Sequence, residues 1–123
     1  FDTIVAVDVV EEAIANLGAL NLPGVSTQVA DLYKEGVLEA VIKRQKPNLL
    51  VLDPPRDGLK SLAQLQAKKS ELNTIIYISC DLATFSRDAA QLQANGFRLS
   101  LVQPLDLFPQ TPHVEILARL DRR

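Results

Sequence analysis

Short apolar, β-branched runs alternate with helical stretches along the whole chain, and this alternation restricts the folds open to it more than any other feature. Ile4-Val5-Ala6-Val7 is the first run and predicts a buried parallel strand, because strands covered on both faces lose the polar alternation of half-exposed ones. Residues 8–20 follow as a helix. Val9, Ala13, Ile14 and Leu17 lie on one stripe, and Glu11 and Glu12 stand in the first turn, where the helix dipole favours carboxylates. Asn21-Leu22-Pro23-Gly24 ends that helix. Residues 25–29 predict a second strand with Asp31 just past its end, and 32–44 a helix with Val37, Leu38, Val41 and Ile42 inward. Leu49-Leu50-Val51-Leu52 predicts a third buried strand. Asp53-Pro54-Pro55-Arg56-Asp57-Gly58 is a loop, because two prolines remove backbone donors and fix φ. A helix over 59–70, a strand over 74–79, a helix over 82–94 stopped by Asn95-Gly96, and strands over 97–104 and 114–120 complete the reading.

Strands separated by helices specify an α/β fold with a mostly parallel, doubly wound sheet. The last two strands lack a helix between them and are expected as an antiparallel pair at one edge. Ligands of such sheets bind beyond the carboxyl ends of the strands. That rule gathers Asp8, Asp31, Asp53 and Cys80 about one crevice, since each stands at the end of a predicted strand.

The 123 residues suffice for one domain with a modest core. A net charge of −2 and a pI near 5.3 argue against a chain whose main task is gripping phosphates. A nucleic-acid substrate would have to be held mostly by other parts of a protein. The single cysteine rules out an internal disulfide and a Cys-built metal or iron–sulfur site within these residues, and it fits a reducing, cytoplasmic setting. No apolar run approaches the roughly 20 residues of a membrane span, and no signal peptide is visible. Phe1-Asp2-Thr3 opens directly on a strand without an initiator methionine, as expected of a cut at a strand boundary.

Each candidate residue has a chemical and a structural reading. Asp8 can hold ribose hydroxyls in a bidentate way or cap the following helix. Asp31 can accept from an adenine amine or cap the next helix. Asp53, ending a strand before a stiff diproline turn, presents a fixed acceptor to a ligand, an unusual choice for a mere connection. Cys80 is either a small buried hydrophobe or a nucleophile, and its place between a strand end and a helix N-terminus favours the thiolate. Glu115 stands between Val114 and Ile116, as an edge charge or a base. His113 reads as a hydrogen-bonding loop residue, and Phe108 as a core residue or one that packs on a base.

Three segments carry a family resemblance: Asp53-Pro54-Pro55-Arg56-Asp57-Gly58, then Tyr77-Ile78-Ser79-Cys80-Asp81-Leu82-Ala83-Thr84-Phe85-Ser86-Arg87-Asp88, then Asp106-Leu107-Phe108-Pro109-Gln110-Thr111-Pro112-His113-Val114-Glu115. In order and spacing they resemble the late motifs of the RNA uracil-5-methyltransferases, and the likeness extends over essentially the whole chain. The resemblance implies the C-terminal part of a Rossmann-like class I methyltransferase catalytic domain over residues 1–123, with an antiparallel last strand and without the first, central strand of the sheet. It implies S-adenosylmethionine as cofactor, a uridine of transfer or ribosomal RNA as substrate, and no metal in this segment. It also implies Cys80 as nucleophile, Glu115 as general base, and Asp8, Asp31 and Asp53 around the methyl donor or the target base. The sequence departs from the family at Asp81-Leu82, where Asn-Pro is usual; a carboxylate beside the thiol disfavours thiolate. The Gly-rich cofactor loop and an RNA-binding barrel are expected upstream, so the chain alone is expected to bind cofactor poorly and to dimerise through an exposed sheet edge. Two rival readings stand beside this one: an amino-group methyltransferase, against which Arg56 after the diproline argues, and a non-catalytic interaction domain.

Overall fold

In the computed structural model, residues 2–60, 62–107, 110 and 114–123 are described. Among them the chain forms, in order, β1 (Ile4–Asp8), α1 (Glu11–Ala19), β2 (Val25–Val29), α2 (Val37–Gln45), β3 (Leu49–Leu52), β4 (Thr74–Ser79), α3 (Leu82–Ala94), β5 (Phe97–Leu105) and β6 (Glu115–Arg122). β3 and β4 pair in parallel, β6 lies antiparallel beside β4, and β5 closes the far edge antiparallel to β6. The expected reversed pair is therefore present, with β6 inserted between β4 and β5. Pro104 falls in β5, an edge strand, where a missing N–H interrupts no ladder on the open side.

The doubly wound sheet is divided. Among the described residues β1 pairs only with β2, in a two-stranded parallel unit, while β3 begins the four-stranded sheet β3-β4-β6-β5. The division falls between β1 and β3, where the family resemblance leaves the central strand out. It also corrects the expectation that β1 and β3 are buried. Ile4 is 48% exposed and Val51 58%, because each strand has a neighbour on one side only. A continuous apolar run reports what a strand is built to bury; its neighbours decide what is buried.

The core lies under the four-stranded sheet, where Leu38 and Ile42 of α2, Phe85 and Leu92 of α3, and Ile75 and Leu120 of the strands pack in one cluster. Each such side chain stabilises the fold by about 1.5–3 kcal/mol relative to exposure. α3 has Phe85, Ala89 and Leu92 on its buried stripe, and the carboxylate of Asp81 caps it by accepting from the Thr84 N–H at 2.8 Å. Helix starts elsewhere fall later than expected: α1 begins at Glu11 and α2 at Val37, neither with a side-chain cap.

The helix expected over 59–70 does not form. Two 3₁₀ turns, Leu62–Gln64 and Ala67–Lys69, stand there, separated by extended Gln66. Leu59, Leu62 and Leu65, all buried, recur every third residue, a spacing that a three-residue turn accommodates as well as a short α-helix does. Asn95 fixes the segment from outside, donating to the Leu62 carbonyl at 2.9 Å and accepting from the Ala67 N–H at 2.9 Å.

Candidate functional site

Cys80, Asp53 and Glu115 lie at the same end of the four-stranded sheet. β4 ends at Ser79, which is paired with Ile116 of β6, so Cys80 and Glu115 each adjoin the last pair of that ladder. In β4, Ile75, Tyr77 and Ser79 are buried and the alternate residues only half-buried; Cys80 follows the second set and keeps partial access to solvent. Glu115 is likewise half-buried, and Asp53, one residue past the end of β3, is exposed. The thiol is thus not sealed in the interior.

Ser79 shapes the turn that carries the cysteine. Its hydroxyl donates to the Asp81 carbonyl at 2.9 Å and accepts from the Asp81 N–H at 3.1 Å. Asp81, the departure from the family pattern, is engaged as the cap of α3. Hydrogen bonds from the Thr84 backbone and side chain and from Ala83, with Arg56 nearby, hold its carboxyl below the ordinary 3.8. The extra negative charge beside Cys80 is therefore directed at the helix N-terminus, whose dipole offsets it.

The 53–58 turn is held from the α3 side. Pro54 is buried, and the Gly58 N–H closes a turn on the Pro55 carbonyl at 2.9 Å. Asp88, with no exposed surface, accepts from the Leu59 N–H at 3.1 Å and from the Tyr77 hydroxyl at 2.5 Å through Oδ2. Its Oδ1 accepts from Arg87 Nε at 3.0 Å and Nη2 at 2.8 Å, and the same Nη2 donates to the Asp57 carbonyl at 2.7 Å. Burial first, then the bond to Asp88, drives the Tyr77 phenol far above its usual pKa. Gly58 has φ +70° and is packed so closely that a Cβ would collide with Asp88 Oδ2, the Thr84 methyl and, at 2.6 Å, Arg87 Nη2. Sequence reading missed this group, although a signal was present: Asp88 falls in helical register with Phe85, Ala89 and Leu92, a carboxylate on an apolar stripe.

Asp8 and Asp31 lie at the ends of β1 and β2, in the two-stranded unit. Neither caps a helix. Asp8 accepts from the Val10 N–H at 2.8 Å and Asp31 from the Tyr33 N–H at 3.0 Å, turns that leave further carboxylate lone pairs free to accept. Tyr33, which sequence reading passed over, feels carboxylates from both parts of the chain. Partial burial, then the charges of Asp57 and Asp31, push its pKa upward. His113 and Phe108 lie outside the described residues. Surface concavities occur elsewhere, at the start of β3 and β4 around Asn48, Thr74 and Arg119 and beside α2 around Glu39 and Gln64, far from the strand ends that carry the candidate residues. No helix among the described residues is long and apolar enough to cross a membrane.

Comparison with known proteins adds to this geometry. The family profile for tRNA (uracil-5-)-methyltransferases matches residues 14–123. A relative from Nitrosomonas europaea, named an uncharacterized RNA methyltransferase, is 44% identical over 121 residues, which are 98% of this chain and 31% of the relative. One of the same description from Chlorobaculum tepidum is 36% identical over 96% of this chain and 26% of its own length. The chain thus spans about a third or less of these relatives. Among solved structures, Streptococcus pneumoniae Sp1610, proposed to be a tRNA (m1A22) methyltransferase, superposes with TM-score 0.67 at 17% identity, covering 98% of this chain and 53% of that one. M. jannaschii TYW2 in complex with AdoMet gives 0.59 at 14%, covering 99% and 59%. At these identities the two structures establish a shared methyltransferase fold.

Proposed function

The chain belongs to the tRNA (uracil-5-)-methyltransferase family, and from that membership we propose that it is the C-terminal part of a catalytic domain that methylates carbon 5 of a uridine in RNA. One observation supports the reading: half-buried Cys80 follows the end of β4 and half-buried Glu115 begins β6, each next to the Ser79–Ile116 pair.

Uracil carbon 5 is a weak nucleophile, and the residues present answer that difficulty. Cys80 Sγ adds as thiolate to carbon 6, moving an electron pair onto carbon 5 and its neighbouring carbonyl. S-adenosylmethionine, when bound, supplies the electrophilic methyl group that carbon 5 takes. Glu115 then removes the carbon 5 proton, the double bond re-forms, and the sulfur leaves carbon 6 unchanged as a catalyst. The base must reach the thiol outside its stack, so the substrate is a flipped or single-stranded nucleotide.

The donor set at the ends of β1 and β2 fits the methyl donor. Asp8 and Asp31 keep acceptor capacity toward ribose hydroxyls and an adenine amine, and Asp53 offers an exposed carboxylate toward the donor or the target base. With a net charge of −2, this chain leaves most of the RNA grip to the rest of the protein. Release of tritium from RNA labelled at uridine carbon 5 tests the proposal. One tritium lost per methyl transferred supports it; methyl transfer with tritium retained assigns the enzyme to a ring or amino nitrogen instead.

A further inference from the structure

The buried carboxylate of α3 has no part in the chemistry above, yet it is bonded both to β4, which leads to Cys80, and to the backbone just past the turn that begins at Asp53. We propose that Asp88, with Arg87, is a positioning clasp that fixes the 53–58 turn relative to Cys80. The inference rests on the reading of Cys80 and Asp53 as site residues.

The geometry is specific. Asp88 Oδ2 accepts from the backbone just past the turn, at Leu59, and from Tyr77, three residues before Cys80 on β4. Oδ1 takes Arg87, which reaches on to the Asp57 carbonyl inside the turn. Arg87 and Asp88 belong to the helix whose cap, Asp81, adjoins Cys80. One carboxylate therefore joins β4, the middle of α3 and the far end of the turn whose near end is Asp53. Gly58 shows how close the fit is, since the space a Cβ needs is filled by Asp88, Thr84 and Arg87 themselves.

Stability alone gives a poor account of this group. A carboxylate without solvent contact is costly to desolvate, and an apolar side chain on the same stripe often packs as well or better. What a fully bonded carboxylate adds is direction, because four donors from three elements must converge on two oxygens. Arg87, with its side chain 49% exposed, forms the outer half of the clasp and is the milder site to alter.

The test uses the whole enzyme and measures kcat, KM for RNA and thermal unfolding for Asp88→Asn, Arg87→Met and Arg87→Lys. Misplacement of a reacting group by about 1 Å lowers rates by roughly 100-fold. Asp88→Asn is therefore expected to lose about 100-fold in kcat and Arg87→Met about 10-fold, with KM for RNA changed less than about threefold, at temperatures where both are folded. Arg87→Lys, which keeps one donor, should recover part of the loss. Full kcat in a folded Asp88→Asn or Arg87→Met enzyme overturns the clasp, as does a loss that only follows unfolding. If Asp88→Asn does not fold, the Arg87 variants decide on the same readings. These rates report methyl transfer to any atom, so retention of tritium would refute the carbon 5 chemistry while leaving the clasp to stand or fall on its own.

Discussion

Replacing Gly58 by alanine should destabilise the domain far more than the same change at Gly36. Both glycines have positive φ, +70° and +79°, so each alanine incurs a left-handed backbone cost of about 1–2 kcal/mol. Each is also relieved by about 0.4–1 kcal/mol, because alanine restricts the unfolded chain. The surroundings separate them. At Gly36 an added methyl meets nothing within 4 Å, leaving a net loss of about 0.5–1 kcal/mol. At Gly58 it enters space held by Asp88, Thr84 and Arg87, and overpacking of this kind adds about 1–3 kcal/mol, for a total of about 2–4. With a urea dependence of about 2 kcal/mol per molar, the midpoint should fall by about 1–2 M for Gly58→Ala and less than about 0.5 M for Gly36→Ala. Amide hydrogen exchange of α3 and β4 peptides in the whole protein, followed through a urea series, reads both shifts. Equal midpoints for the two variants would refute the close packing of the turn on α3.

Three further outcomes are expected. Glu115→Gln should lower turnover by about 100- to 10,000-fold while still allowing the bond between enzyme and RNA to form; single-turnover gels with labelled RNA separate the two steps. Asp8→Ala should raise the KM for S-adenosylmethionine by about 10- to 100-fold with RNA binding unchanged, as measured by initial rates at saturating RNA. Asp121 has its pKa held below 3.8 by hydrogen bonds from Ser100, Thr74 and Arg119. A depressed carboxylate pKa contributes stability that is present above the unfolded value and lost as pH falls through the folded one. Asp121→Asn should therefore be less stable near neutrality and lose less stability below about pH 4, as read by circular dichroism during acid titration.

Most strands were legible because apolar runs of four to six residues bounded by Pro, Gly and Asn have few other uses; β2, β3, β4 and α3 have the bounds expected of them. The strand-end rule places Asp53 and Cys80 at one end of the sheet, and the antiparallel pairing of β6 with β4 sets the start of β6, with Glu115, at that same end. What stayed hidden depends on long-range partners. The spacing of Leu59, Leu62 and Leu65 is compatible with α and 3₁₀ turns alike over so short a span, and the bonds from Asn95 that decide it come from a residue 33 positions away. The exposure of Ile4 and Val51 follows from the division of the sheet, which no local pattern records. Asp88 was visible as a misfit on the stripe of α3, but its partners Leu59 and Tyr77 become neighbours only on folding.

The central claim is a bond between one sulfur and one pyrimidine. Incubating the whole enzyme with S-adenosylmethionine and RNA carrying 5-fluorouridine at the target position blocks the last step, since fluorine does not leave as a proton. Digestion and mass spectrometry should then find the nucleotide, already methylated, attached to Cys80. Methylation of the natural RNA without any such adduct, or an adduct on another residue, would contradict the account.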